Sequence, residues 1–377
     1  PTRWKELLKI VNLFLVTMSA ISLYGHWTLV KTNIDNIPKT AESLSIGFQI
    51  VISLVKMIYF VLTQRRFYEL LEDTLNHSIL QKIEIFKKDF PIKDRLKREI
   101  TIVMDGVWKE TRIQLLFYLF CCSTIMNLYF TLPLLINYYH KVKETPDYAY
   151  ISPSSFWNDK GMTFPYYPIH MFLDACGIHI SGCTGVGFDG VFIVLCLHAI
   201  GLLRVLNLMV SRSTMELVPK EARADYMRYC IRHYQRTQIF ITDIHQMFRH
   251  VSLSQFLLTL LVFGLVLFKM NITLENDKVT FIRMAVYFLT SSTMCSIYCY
   301  NGQQLSTTSE EVPLAFYNCL WYDECMEFQK LIQMMILRTN REFRFDISWF
   351  AVMNLTTLIA LFKMSGSYFV LLRDLSD

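Results

Sequence analysis

Apolar segments alternate with polar and charged segments along the whole chain. Because about twenty apolar residues suffice for a helix to cross a bilayer, this pattern predicts an all-α integral membrane protein with seven spans. The seven apolar segments are residues 10–23, 44–62, 113–138, 171–210, 253–268, 281–300 and 347–372. No linker rich in Gly, Ser or Pro divides them, so we expect a single transmembrane domain over residues 1–377.

Two long inter-span regions, residues 63–112 and 211–250, are rich in both basic and acidic residues. In the first, Phe67, Leu70 and Leu71 recur at helical spacing, which predicts that the second span continues as a helix beyond the membrane. We therefore expect both regions to form helical extensions that pack against one another outside the bilayer.

The basic residues are concentrated in the N-terminal segment and in these two regions. Cytoplasmic segments of membrane proteins carry an excess of Lys and Arg. The pattern therefore predicts that the N-terminus lies inside the cell and that residues 141–169 form an outer loop. Seven crossings would leave the C-terminus outside, the reverse of the orientation of G-protein-coupled receptors.

The C-terminal part of the chain combines two unlike segments. Ser309, with two glutamates and Pro313 after it, has the composition of a helix start. The following segment is amphipathic, and its charges are too many for lipid. We predict a cytosolic anchor helix and hinge over residues 310–346, and a terminal membrane helix over residues 347–372.

The apolar stripe of the predicted anchor helix is the expected assembly element. Tyr317, Trp321 and Phe328 lie on this stripe, with charged residues between them. Large aromatic side chains on one face of such a helix are typical packing anchors. We therefore expect these three residues to support assembly.

The composition agrees with a membrane protein and excludes several other classes. Hydrophobic residues make up 53% of the chain and charged residues only 18%. The net charge of +5 is mild, and no basic patch is dense enough for nucleic acid. The ten cysteines are scattered without ligand spacing, so we expect neither a disulfide framework nor a metal or other cofactor.

Catalytic motifs are also missing from the sequence. No Ser-His-Asp order, carboxylate pair or phosphate loop emerges, so an enzyme is not expected. The run from Gly185 to Gly190 matches the dinucleotide-binding glycine pattern formally, but no strand precedes it. Close helix packing or a bend in the fourth span is the better interpretation of these glycines.

A resemblance to a known family lies in the C-terminal residues. In chain order they are Ala315-Phe316-Tyr317, Leu320-Trp321-Tyr322, Met334-Met335, Lys363, Ser365, Ser367-Tyr368-Phe369 and Leu371-Leu372. This order resembles the C-terminal signature of insect odorant receptors. Gustatory receptors carry a Thr-Tyr pair followed by Gln-Phe, where this chain has Ser367-Tyr368 and Asp374-Leu375. The resemblance therefore favours the olfactory branch, and a ligand-tuning subunit rather than the shared co-receptor.

The resemblance implies a ligand-gated, non-selective cation channel in the plasma membrane of sensory dendrites, assembled as a heterotetramer with the co-receptor. The ligand would be a small, apolar volatile molecule held in the outer half of the bundle, between spans two, three, four and six. Carried onto this chain, the candidate residues are Phe48, Ile52, Met126, Phe130, Leu134, Met171, Ala175, His179, Met284, Tyr287 and Thr290. Periodicity places each set on one helix face without showing which face looks inward.

The family places its gate in the last span, before the Ser-Tyr-Phe motif. Leu358 and Phe362 are one turn apart and share a face, so they are the gate candidates. Lys363 lies near the middle of that predicted span, and its charge suits a hydrated pore wall or a buried partner. For Lys56 and Arg204, the expectation is that their long side chains reach the inner interface.

Three alternatives stay open on the sequence alone. A gustatory-type channel is opposed by the altered C-terminal pair, and a G-protein-coupled receptor by the predicted topology. A small-molecule transporter would show an internal repeat with paired broken helices. No such repeat is visible, although the glycine run could be one such break.

Overall fold

Long helices follow the apolar segments and extend well beyond most of them. The computed structural model describes residues 2–87, 90–142, 150–157, 165–348 and 351–376. The seven long helices in these ranges are α1 (Thr2–Thr32), α2 (Ile37–Leu75), α4 (Lys93–Val142), α5 (Tyr166–Arg212), α6 (Arg223–Asn276), α7 (Lys278–Asn318) and α9 (Leu355–Ser376). The shorter elements are α3 (Ser78–Gln81), α8 (Met326–Thr339), three 3₁₀ turns (Glu84–Lys87, Lys220–Ala222, Trp321–Asp323) and the antiparallel pair β1 (Asp346–Ser348) and β2 (Ala351–Val352).

All of the long helices except α7 are long and apolar enough to cross a membrane, as judged over the described residues. Helix α7 carries the polar run Thr290-Ser291-Ser292-Thr293 in its middle, which lowers its hydropathy. It nevertheless lies inside the bundle, where it packs against α4, α5 and α6. Two residues of this run, Thr290 and Ser291, line the cavity described below.

Helix α5 is the central element of the bundle. Its second half is buried on all sides, with Leu195, Leu197, Ile200 and Leu203 completely inaccessible. A helix that is apolar all round belongs in a core, and α5 is enclosed by α2, α4, α6 and α7. The glycine run lies inside this continuous helix, where a Cβ atom at Gly190 would approach Leu115 to 3.3 Å.

Helices also run through both charged regions. Helix α2 continues to Leu75 and buries Phe67 and Leu70 against the core. Arg66 contacts Asp243 of α6 at 2.6 Å, and Arg212 contacts Glu99 of α4 at 2.9 Å. Apolar packing and ion pairs thus join the extensions of α2, α4, α5 and α6 into one helical layer.

The predicted helix start near Ser309 is wrong. Helix α7 instead continues through Pro313 to Asn318, and the amphipathic helix α8 begins only at Met326. Proline inside a helix removes one hydrogen bond and costs roughly 3 kcal/mol. Complete burial of Phe316, together with Val312, offsets this cost, so tertiary packing overrides the local signal.

The last helix also begins later than predicted. Residues 347–348 and 351–352 belong to β1 and β2, and α9 runs from Leu355. The side chain of Asn354 accepts a hydrogen bond from the amide of Thr357 at 2.8 Å, which is the usual N-cap interaction. At 22 residues, α9 is about 33 Å long, which still suffices to cross a bilayer.

Candidate functional site

A cavity lies in the bundle between α2, α4, α5, α6 and α7. Its volume is about 100 Å³. The lining residues are Ile46, Gln49, Ile50, Tyr118, Cys122, Ile125, Met126, Tyr129, Ile178, Ser181, Gly182, Gly185, Gln255, Thr259, Tyr287, Thr290, Ser291 and Met294. None of these side chains carries a formal charge, so the cavity suits a neutral, largely apolar molecule.

Several polar groups of the cavity wall are already satisfied by the protein. The Tyr287 hydroxyl donates to the carbonyl of Ser45 at 3.1 Å, and the Thr290 hydroxyl donates to the carbonyl of Val286 at 2.9 Å. The Tyr118 hydroxyl donates to Asp189 at 2.8 Å. These bonds fix the side chains in place, so the wall is preorganised.

Residues 150–157 cover the end of the bundle that the charge pattern predicts to face outside. Ile151 is buried and packs in one cluster with Tyr129 and Tyr287, both of which line the cavity. Ser152 and Ser154 donate hydrogen bonds to the buried carboxylate of Asp174, at 3.0 and 2.7 Å. The segment is therefore held down on α5 by buried polar contacts, and its apolar residue packs against two residues of the cavity wall.

Helix α1 holds the same covering segment from the other side. The amide of Ser155 donates to the carbonyl of Gly25 at 2.9 Å, and the His26 ring lies 3.0 Å from the carbonyl of Pro153. A Cβ atom at Gly25 would come within 2.4 Å of the Phe156 ring. Only glycine at this position allows Phe156 to seat so close to α1.

A buried ion pair lies at the opposite end of the cavity. Lys56 of α2 donates to both carboxylate oxygens of Asp189 on α5, at 2.7 and 2.9 Å, and both side chains are 2% exposed. The hydroxyls of Tyr118 and Tyr298 also donate to Asp189, each at 2.8 Å. The expectation that Lys56 reaches the membrane interface is therefore wrong, because the chain supplies a buried partner instead.

Aromatic contacts lead from this ion pair towards the last helix. The Tyr298 ring stacks on Phe192 with centroids 4.1 Å apart, and Phe192 lies 6.0 Å from Phe345. Phe345 directly precedes β1, and its carbonyl accepts a hydrogen bond from the amide of Met353 at 2.8 Å. The cavity wall and the residues that begin α9 are thus connected through continuous packing.

The predicted ligand-binding residues divide into two groups. Met126, Tyr287 and Thr290 line the cavity. The others are not among its lining residues: Phe48, Ile52, Met171, Ala175 and Met284 pack in the core around it, while Phe130, Leu134 and His179 lie towards the outer surface of the bundle. Helix α6 contributes Gln255 and Thr259, although the resemblance implied no residue of the fifth span.

The gate candidates Leu358 and Phe362 share one face of α9, and Lys363 lies on another. Phe362 stacks on Phe263 of α6 at 5.6 Å, and Leu358 packs against the same large core cluster. Lys363 is exposed, as are Ile359 and Met364 on the same side of the helix. Leu358 and Phe362 therefore face their own bundle, whereas Lys363 lies on the face left open by this chain.

The assembly candidates differ in burial. Phe328 of α8 is completely buried in the core, and Trp321 is half-buried, with its indole nitrogen donating to the carbonyl of Tyr317 at 3.1 Å. Tyr317 is 63% exposed. Among the described residues, no group of three or more His, Cys, Asp or Glu side chains could hold a metal ion.

Comparison with known proteins places the chain in a family. The family model described as 7tm Odorant receptor matches residues 36–366. Odorant receptor 63a of Drosophila melanogaster is 43% identical over 385 residues, covering 100% of this chain and 92% of the relative. Odorant receptor 67b of the same fly is 27% identical over 343 residues, covering 89% of this chain and 81% of the relative.

Solved structures show the same architecture. The insect olfactory receptor OR5 from Machilis hrabei in complex with eugenol has a TM-score of 0.83 at 12% identity, over 98% of this chain and 90% of that chain. A second structure of that receptor has a TM-score of 0.74 at 11% identity, over 96% and 87% of the two chains. The predicted all-α membrane fold is thereby confirmed, and the sequence match over residues 36–366 shows that this multi-pass membrane protein belongs to the odorant receptor family of odorant-gated cation channels.

Proposed function

We propose that this chain is the odorant-binding subunit of a cation channel that it forms with a co-receptor in the plasma membrane of sensory dendrites. The uncharged cavity beneath residues 150–157 carries this proposal, because it is preorganised and apolar in most of its wall. The related receptor OR5 has been solved with eugenol, itself a small neutral molecule. A ligand here would favour the open state only through contacts that it makes better in that state.

The orientation that fits this proposal has the N-terminus inside and the C-terminus outside. The covering segment 150–157 would then face the extracellular side, where volatile molecules arrive. The charged helical layer made by α2, α4, α5 and α6 would lie in the cytosol. The distribution of Lys and Arg supports this orientation.

Filling the cavity should remove the response to ligand. We expect Thr290→Phe to weaken or abolish ligand-evoked current, because the added ring occupies the space between α4, α5 and α7. The matched control is Leu289→Phe, one residue earlier on the same helix, where the side chain is 66% exposed. Whole-cell current would be recorded from cells that express the chain with and without the co-receptor, across a panel of volatiles.

Two results would contradict this proposal at different levels. If Thr290→Phe gives the same dose–response curve as the unsubstituted chain, with equal amounts of both at the cell surface, then the cavity is not the ligand site. Absence of current for every volatile tested, with co-receptor present and the chain at the surface, would contradict the channel-subunit function itself.

An exposed apolar surface supports assembly with other subunits. It is formed by the C-terminal end of α7, the following 3₁₀ turn and α8. Its exposed residues are Leu314, Tyr317, Leu320, Tyr322, Met326, Met334 and Leu337. Apolar patches of this kind in a region rich in charges mark protein contacts. We propose that this assembly surface joins the chain to its co-receptor in a heterotetramer.

Two substitutions should separate assembly from folding. Phe328→Ala removes a fully buried ring and should destabilise the chain itself by ~3–5 kcal/mol. Tyr317→Ala removes a mostly exposed ring, so it should leave the stability of the isolated chain unchanged and reduce co-purification with the co-receptor. Thermal unfolding in detergent and pull-down of the co-receptor measure the two effects. Normal co-purification of Tyr317→Ala would remove this residue from the proposed contact.

We further propose that α9 shapes the conduction path. Its open face carries Lys363, which would meet permeating cations and tune their passage. Leu358 and Phe362 would act as gate residues by holding α9 against α6, through contacts such as the stacking of Phe362 on Phe263. Opening would then require these contacts to change.

A further inference from the structure

Two buried polar atoms of the cavity wall have no hydrogen-bond partner within the described chain. They are the hydroxyl of Tyr129 and the side-chain oxygen Oε1 of Gln255. Tyr129 is 4% exposed and Gln255 is 3% exposed, so bulk water does not satisfy them. A buried polar group without a partner is costly, and both of these residues line the cavity.

The neighbours of Gln255 show which end of its amide is unpartnered. Its nitrogen Nε2 lies 3.1 Å from the sulfur of Met294. A thioether sulfur only accepts hydrogen bonds, so the amide nitrogen must face it and the amide oxygen must point elsewhere. The cavity therefore contains a strong acceptor that lacks a donor.

Tyr129 contributes the complementary group. Its ring is held edge-on against Tyr287 at 6.4 Å, and the guanidinium of Arg283 lies over it at 5.2 Å. Arg283 itself pairs with Glu42, a carboxylate that Lys269 also contacts at 3.0 Å. The ring is thus fixed, while its hydroxyl is left to donate or accept a hydrogen bond within the wall.

We propose, given the odorant-binding function proposed above, that this cavity selects small neutral alcohols and phenols. A ligand hydroxyl can serve either atom, because it can donate to Gln255 Oε1 or accept from the Tyr129 hydroxyl. Ethers, ketones, aldehydes and esters only accept, and they would leave the Gln255 oxygen unpaired. Acids and amines in their charged forms are disfavoured, since no charged side chain lines the cavity.

Isomer pairs test this selectivity at constant size. The probes are n-hexanol against n-pentyl methyl ether, and para-ethylphenol against para-methylanisole, with panels of shorter and longer members of each series. The measurements are the half-maximal concentration for current with the co-receptor, and the thermal shift of the purified chain. In the pair that binds more tightly, we expect the half-maximal concentration of the hydroxyl compound to be roughly tenfold or more below that of its ether isomer. A factor of about ten is what one buried hydrogen bond contributes.

Variants of the two residues assign the selectivity to them. Gln255→Met keeps the shape of the side chain without its acceptor, and Tyr129→Phe removes only the hydroxyl. Each should reduce the preference for the hydroxyl compound, mainly because the alcohol or phenol binds more weakly while its ether isomer binds as before. The control is Ser53→Ala, which removes another unpartnered buried hydroxyl, on α2 but outside the cavity lining. It should leave the preference at its parental value.

The possible results separate this inference from the receptor function. Ligand-evoked currents with equal potency for alcohol and ether, or a preference that survives Gln255→Met and Tyr129→Phe, would overturn the inference and leave the receptor function intact. Activation by esters or ketones but by no alcohol or phenol would overturn it too. Should no volatile evoke current, the channel proposal fails. The thermal shifts of the isomer pairs still decide what the cavity binds.

Discussion

Replacing Lys56 alone with methionine should prevent most of the chain from reaching the cell surface in folded form. The substitution leaves the carboxylate of Asp189 charged and buried, with only two tyrosine hydroxyls to solvate it. Removing one partner of a buried ion pair costs roughly 3–5 kcal/mol, which is a large part of the stability of a typical domain. The loss would be measured by thermal unfolding in detergent and by the surface-labelled fraction of the chain.

The double variant Lys56→Met with Asp189→Asn tests whether the cost comes from the uncompensated charge. Asparagine keeps an oxygen that can accept from Tyr118 or Tyr298, and the pair is then neutral. We expect most of the lost stability to return, because replacing both partners of a buried pair is often close to neutral. As a surface control, Arg65→Ala breaks the exposed pair with Glu69 and should have little effect. A double variant as unstable as the single one would show that the charge is not the cause.

The rescued double variant also addresses opening. Asp189 accepts a hydrogen bond from Tyr118, which lines the cavity, and another from Tyr298. The Tyr298 ring stacks on Phe192, which belongs to the packing that connects the cavity wall to the last helix. If the double variant is stable but gives no ligand-evoked current, then the ion pair serves the coupling of the cavity to α9 as well as stability.

The positions of the helices could be predicted from the sequence because membrane spans are long and nearly uniform in character. The continuation of α2 beyond the bilayer could also be predicted, because Phe67 and Leu70 keep their helical spacing. Both residues are buried in the structure. Helix ends were harder to place. Pro313 suggests a helix boundary, but packing overrides it and α7 continues. Asn354 caps α9, yet the apolar residues before it extend the hydrophobic segment and place the predicted helix start too early.

The cavity was only partly predictable, because periodicity defines a face without its direction. Met126 lines the cavity, but Phe130, one turn further along the same face, is 39% exposed. Gln255 could be singled out as a polar residue inside an apolar span, yet nothing in the neighbouring sequence shows that it contacts Met294 of α7. Lys56 and Asp189 are 133 positions apart. The sequence shows that each charge in a span is costly but not which residue neutralises it.

Gly302→Ala should disturb the start of the last helix. A Cβ atom at this position would lie 2.3 Å from the backbone carbonyl oxygen of Met353 and 2.7 Å from its Cβ atom. A backbone atom cannot rotate away as a side chain can, so Met353 must move. Met353 is 2% exposed and immediately precedes Asn354, the N-cap of α9. Overpacking of this kind typically costs ~1–3 kcal/mol.

The expected functional result of Gly302→Ala is loss of ligand-evoked current at a surface amount that is still measurable. Displacing Met353 shifts the cap of α9, and with it the contacts of Phe362 on α6 that we propose to hold the gate. Gly366→Ala is the matched control, since nothing lies within 4 Å of a Cβ atom at that position of α9. Alanine is a better helix former than glycine by roughly 0.5–1 kcal/mol, so this control should unfold at the same or a slightly higher temperature and respond normally. Thermal unfolding in detergent and current recordings with the co-receptor would compare the two variants. A normal response from Gly302→Ala would mean that Met353 can move without displacing α9, and that the contacts of α9 with α6 and α7 farther along the helix set its position.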